Sequence, residues 1–199
     1  MPILQKIVIS NFRNIEFQEL EFSPKINCIW GNNGEGKTNL LDAVYYLSMT
    51  KSALGINDSF NCRHGQDGFS IAGTCQMPSA LTSRFSIVVK KGEEKKLRCD
   101  DKPYGRISEH IGKLPTVIIS PSDISLVSDS GEERRRFMNA AVSQIDREYL
   151  SAIQQYNRLL AQRNRMLKDG VCDATLLEVI DIKMSSHADF IHRKRAELC

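Results

Sequence analysis

Gly31-Asn32-Asn33-Gly34-Glu35-Gly36-Lys37-Thr38 fits the pattern G-x-x-x-x-G-K-[ST] at every position. Its surroundings fit as well. The apolar run Ile26-Asn27-Cys28-Ile29-Trp30 precedes it and reads as a short buried strand. A helix follows, with Leu40, Leu41, Val44 and Leu47 at helical spacing. The residue types match the chemistry of a phosphate cradle. Glycines let the backbone wrap closely and aim successive N–H groups inward. The following helix adds the positive end of its dipole. Lys37 would reach β- and γ-phosphates, and the Thr38 hydroxyl would ligate Mg²⁺. The pattern names a nucleoside triphosphate and leaves the reaction open.

Outward from this loop, the chain divides by character. On the N-terminal side, Ile3 to Ile9 reads as a strand, Asn11-Phe12-Arg13-Asn14 as a turn, and Ile15 to Phe22 as a second, partly alternating strand closed by Pro24. On the other side, Lys51 to Asp67 is polar and loop-like. Phe69 to Gln76, Phe85 to Lys90 and Lys95 to Cys99 form a small antiparallel set, with a turn at Gly92-Glu93-Glu94. Thr116-Val117-Ile118-Ile119 is expected as another buried strand, stopped by Ser120-Pro121. Beyond Asp129 the pattern is helical. Ser130-Gly131-Glu132-Glu133 has capping-box form. Asp146 is placed to cap a helix running to about Lys168, with the stripe Leu150, Ile153, Tyr156, Leu160 and Leu167. Gly170 can take a left-handed stop, and Leu177, Ile180, Met184 and Ile191 mark a partner helix, making an αα-hairpin. His187 lies on that stripe and is expected as a packed core residue.

Composition excludes several classes. The chain has 199 residues, 41% hydrophobic and 26% charged, with 27 Lys plus Arg against 24 Asp plus Glu. That is neither a disordered tail, a collagen nor a rod. No apolar run is long enough to span a membrane, and the N-terminus lacks a secretory signal layout, so a cytoplasmic protein is expected. The six cysteines form no CxxC pair, which argues for reduced thiols rather than zinc. A net charge of +3 does not decide for or against nucleic acid.

A triphosphatase also needs a metal-side carboxylate at the end of an apolar strand. The nearest is Asp123 in Val117-Ile118-Ile119-Ser120-Pro121-Ser122-Asp123, but Pro121 and two serines separate it from the apolar part. No Ser/His/Asp or Cys/His set is legible. The last helix reaches Cys199 without a stop signal. A cradle without its carboxylate partner, and a helix without a stop, together predict a truncated polypeptide.

Five ordered blocks resemble the RecF family: Leu4 to Asn14; Gly31 to Thr38 continuing through Leu47; Ile119-Ser120-Pro121-Ser122-Asp123; Glu133-Arg134-Arg135-Arg136-Phe137; and Tyr156 to Asn164. The resemblance implies an α/β P-loop ATPase of ABC/SMC-head type. It would have a mixed sheet and a small antiparallel β subdomain in a first lobe, residues 1–129, and a helical second lobe beginning in residues 130–199. It implies ATP and Mg²⁺ as cofactors and ATP-dependent homodimerisation on single-stranded or gapped DNA. It further implies cooperation with RecO and RecR in loading recombinase, and a place in recombinational repair, replication and the SOS response. By resemblance, Gly31, Asn32, Asn33, Gly34, Gly36, Lys37, Thr38 and Asn39 fall on the phosphate loop, with Glu35 within it. Arg13 and Asn14 occupy the turn facing the nucleotide, with Arg13 near its phosphates or base. Asp123 lies where ABC relatives use Gln, so its metal role departs from that pattern. Signature, Walker B and switch residues are expected outside this chain, which would then turn over little ATP and hold no catalytic residue itself.

The run Arg134-Arg135-Arg136 is the densest basic cluster and the candidate for contact with DNA phosphates; a solvated helix face is the competing reading. Two other functions remain open: the ATPase head of an overcoming-lysogenisation-type nuclease, which carries a metal-binding domain elsewhere, and an SMC-like structural protein, which needs heptads beyond the break at Gly170.

Overall fold

The computed structural model describes residues 1–124, 126, 131–170 and 173–197. It divides into two compact units, Met1–Ile119 and Ser120–Cys199.

The first unit is a six-stranded antiparallel sheet with a long helix packed on one face. Its strands are β1 (Ile3–Phe12), β2 (Ile15–Glu21), β3 (Gly68–Gln76), β4 (Thr82–Lys90), β5 (Lys96–Cys99) and β6 (Lys102–Pro103), in the spatial order β2-β1-β3-β4-β5-β6. Alternation within each strand decides the face. The register aligns Ile9 with Ile71, Ile71 with Ile87, and Ile87 with Leu97. All four are buried, so one apolar row crosses four strands.

Onto this row packs α1 (Lys37–Met49). Its inner face differs in part from the expected one. Leu40 and Leu47 are buried, but Leu41 is 48% exposed, and Ala43 and Tyr46 take its place. Phe12, Tyr46 and Phe69 stack edge-to-face, with ring centroids 5.2–5.8 Å apart. Gly73 lets α1 approach β3, because a Cβ there would overlap the Leu47 side chain. The loop expected over 51–67 contains a short helix, α2 (Asp58–Asn61).

The strand set of the first unit is therefore larger than the small subdomain expected, and every strand pair in it is antiparallel. The two buried strands expected at 26–30 and 116–119 are not formed. Ile26 is 87% exposed, Trp30 89%, Val117 68% and Ile119 84%. An apolar run becomes a strand only beside another strand that takes its hydrogen bonds, and no described strand pairs with either run.

The second unit holds α3 (Gly131–Ile145), α4 (Arg147–Lys168) and α5 (Ala174–Ala196). The expected cap Ser130 lies outside the described residues. Asp146 caps α4 as its sequence position predicts, accepting from the Tyr149 N–H at 2.9 Å. Asp173 caps α5, accepting from Thr175 and Leu176. Gly170 takes the left-handed conformation, φ 68°, between the two helices of the hairpin. The small core joins Val142, Tyr149, Ala152 and Ile191, with Ile153 and Tyr156 against it. Leu167, expected on the stripe, is 44% exposed. His187 is half-buried rather than fully packed.

Candidate functional site: the phosphate loop and its clamp

The loop 31–36 is built on left-handed backbone. Gly31, Gly34 and Gly36 have φ 149°, 86° and 93°, a region that L side chains rarely occupy. A Cβ on Gly36 would also lie 2.8 Å from Asn14 Oδ1, so the Asn14 amide would have to shift. Gly36 sits at the N-cap of α1, where no side chain caps the helix and no acid stands in the first turn. The free N–H groups and positive dipole end therefore remain available to an anion. Lys37 Nζ donates to the carbonyls of Gly31 (2.7 Å) and Asn32 (2.6 Å), folding its cation across the loop. The Glu35 carboxylate accepts from Asn32 N (2.9 Å) and Nδ2 (2.8 Å), bracing the turn from within. Asn33 is exposed at the rim, and Thr38 is exposed in the first turn of α1. These donors and glycines fit a polyphosphate.

The turn between β1 and β2 holds this loop. Asn14 Nδ2 donates to the Gly34 carbonyl at 3.1 Å, while Asn14 Oδ1 accepts from Asn39 Nδ2 at 2.7 Å. Arg13, at φ 54°, donates to Asn39 Oδ1 (3.0 Å), Asn61 Oδ1 (3.1 Å), Ser52 Oγ (2.9 Å) and Asp42 Oδ2 (2.7 Å). Its side chain is 11% exposed and that of Asp42 is fully buried. Asp42 also accepts from Ser52 and from the Ala53 N–H. Arg13 and Asn39, both assigned to the nucleotide from sequence, tie β1, α1 and the following loop together.

A second carboxylate completes the clamp. Asp58 accepts from the Tyr46 hydroxyl (2.7 Å) and pairs with Lys95 (2.8 Å), and Lys95 donates to the Thr50 carbonyl at the end of α1. Burial first, then the Asp58 contact, pushes the Tyr46 phenol far above its ordinary value. Neither Asp42 nor Asp58 stands out in the sequence. Asp42 could have been found, because a carboxylate on the inner face of an amphipathic helix requires a buried partner.

In the second unit, Asp123 lies in a 3₁₀ turn, Pro121–Ile124, and accepts from the Ser120 N–H. The three arginines separate: Arg134 donates to the Leu126 carbonyl (3.2 Å), Arg136 pairs with Glu133 (3.2 Å), and Arg135 and Arg136 line a cleft among the three helices. Among the described residues no three His, Cys, Asp or Glu side chains gather as a metal site, and no helix is long and apolar enough to cross a membrane. Cys28, Cys62, Cys75 and Cys99 are free, and burial raises the Cys75 thiol to about 11.

The fold and loop define a P-loop ATPase: the chain belongs to the AAA domain family, whose model matches residues 6–170. Within that class its likeness is to RecF. It is 44% identical over 196 residues to the DNA replication and repair protein RecF of Phocaeicola vulgatus, covering 98% of this chain and 53% of that protein. With RecF of Porphyromonas gingivalis it shares 43% over 194 residues, again 98% and 53%. Two solved structures of the recombination mediator protein RecF in the RecFOR pathway, RecF-ATP and RecF-ATPrS, each superpose with TM-score 0.92. Each is 30% identical and covers 99% of this chain and 54% of the other. An SMC ATPase structure with TM-score 0.57 and 16% identity, covering 69% of this chain and 98% of that one, shares the fold alone. The chain spans about half the length of the curated relatives it matches.

Proposed function

We propose that this chain binds ATP with Mg²⁺ on the loop Gly31–Thr38, as the nucleotide-binding part of a cytoplasmic RecF-type protein of DNA repair and replication. The observation that carries this reading is the loop itself: three left-handed glycines, an uncapped helix N-terminus and a lysine folded across them. Lys37 would leave the two carbonyls to meet β- and γ-phosphate oxygens, a stronger charge-assisted contact. Thr38 supplies the hydroxyl for Mg²⁺, which would neutralise phosphate charge there. Asp123 is a second candidate on the metal side. Arg13 acts by holding Asn39 and, through Asn14, the Gly34 turn, so its influence on the phosphates is positional. DNA binding, ATP-dependent dimerisation, and cooperation with RecO and RecR to load recombinase at gaps belong to the same proposal. They rest on the likeness to RecF.

Full-length wild type should bind gapped duplex DNA more tightly with ATP than without. Lys37→Ala should lose ATP binding in a titration and lose that difference. Equal DNA affinity with and without ATP in the wild type would refute the ATP-dependent reading.

A further inference from the structure

We infer that the cleft between α3, α4 and α5 is a phosphate-binding groove that grips a nucleic-acid backbone. The inference rests on the DNA-binding reading above and names its contact site. On α3, residues 132, 135, 136 and 139 follow the i, i+3, i+4, i+7 spacing of one helix face. On α5, residues 188, 191, 192 and 195 do the same, and both faces line one cleft of about 420 Å³ with part of α4. Here the floor is apolar, with Ile153 and the buried Ile191, but the walls carry Arg135 and Arg136 on one side and His192 and Arg195 on the other. Glu132 is the single carboxylate in the lining. Arg136 also pairs with Glu133 at 3.2 Å; a phosphate in the hollow would add a second anion for the guanidinium groups that line it.

The cleft is built rather than incidental. Arg195 donates through Nε to the Tyr149 hydroxyl (3.0 Å) and through Nη2 to Asn139 Oδ1 (2.8 Å), and Tyr149 is fully buried. That guanidinium is held in place before any ligand arrives, and Asn139 and Asn157 add amides. The basic groups are all arginine or histidine, and an arginine fork matches phosphate oxygens bidentately. They are spread along two helices rather than converging on one point, and Arg135, Arg136 and His192 are exposed at the mouth. This layout suits a chain of phosphates better than a single free ion. With contact made only to the backbone, binding is sequence-independent and strongly salt-dependent.

The test is a salt titration of full-length protein binding to a fluorescent gapped duplex. Wild type is compared with the double variant Arg135→Gln/Arg136→Gln and with Arg163→Gln. Arg163 lies on the exposed hairpin surface, paired with Asp181 at 2.6 Å. Thermal melting checks that each variant is folded. The double variant should raise Kd at least about tenfold near 0.1 M salt and flatten the slope of log K against log salt by about 2, while Arg163→Gln changes neither. An unchanged slope in the double variant, or an equal loss in Arg163→Gln, overturns the groove while leaving DNA binding itself intact. No salt-dependent DNA binding by wild type overturns both readings. Competition by polyglutamate, but not by DNA, that depends on Arg135 and Arg136 would assign the cleft to an acidic protein and overturn it too.

Discussion

Arg13 shows how one side chain can brace the loop beside it. Its backbone sits at φ 54°, an uncommon conformation for a non-glycine residue that persists where surroundings over-determine it. Four hydrogen bonds to Asn61, Asn39, Ser52 and Asp42 provide that determination. Arg13→Ala leaves the Asp42 carboxylate buried without its cation, and should lower unfolding free energy by about 3–5 kcal/mol in a urea titration. Arg63→Ala, which removes a pair with the exposed Glu16, should cost under about 1 kcal/mol. His110 offers a pH-dependent counterpart. It is 1% exposed, with Nε2 2.6 Å from the Leu47 carbonyl and its ring edge-to-face with Phe85. Burial holds the imidazole below its ordinary value, against the pull of the Leu47 carbonyl. As pH falls through about 6.5 the unfolded chain takes up the proton first, so the stability present above that pH is lost progressively below it. The urea midpoint should therefore fall between about pH 7.5 and 5.5 more steeply in wild type than in His110→Gln.

At the level of elements, the decisive contact is α1 on the sheet. Gly73 sits in β3 where a Cβ would overlap the Leu47 side chain and come within 3.1 Å of Leu4. Leu47 is 1% exposed, and a cavity of about 180 Å³ that it lines with Leu4 and Val44 gives it some room to yield. Gly73→Ala should cost about 1 kcal/mol, the low end of overpacking, because Leu47 must shift toward that cavity. Because α1 carries the loop on its N-terminus, ATP affinity measured by calorimetry should fall with it. Much of this architecture was legible. Apolar runs located β1, β3 and β4 to within a few residues, and the Asp146 cap and the Gly170 stop located α4, expected to end at about Lys168. The signals that failed were those without local punctuation. β6 is two residues long, and α2 is a single turn held by Asp58 contacts that no local pattern announces.

The molecule as a whole leaves apolar segments open. Ile26, Trp30, Val117 and Ile119 are exposed, flanking the phosphate loop on one side and the end of the first unit on the other. Trp30 is the single tryptophan of these 199 residues and adjoins Gly31. Iodide should quench its fluorescence in this chain nearly as fast as a free indole, and ATP should change that rate because the loop begins at the next residue. Strong protection before ATP is added would show instead that residues 26–30 are packed.

By itself the sequence determined the phosphate loop, the capped helices and the alternating strands, because glycine backbone freedom, capping and side-chain periodicity all act within a few residues. Only the tertiary structure decided that Arg13 meets Asp42, that His110 reaches the end of α1, and that the three successive arginines part company. Those outcomes depend on which distant segments come together and how deeply. A buried charge takes whatever partner the packing brings within about 3 Å, and nothing in the local pattern names that partner.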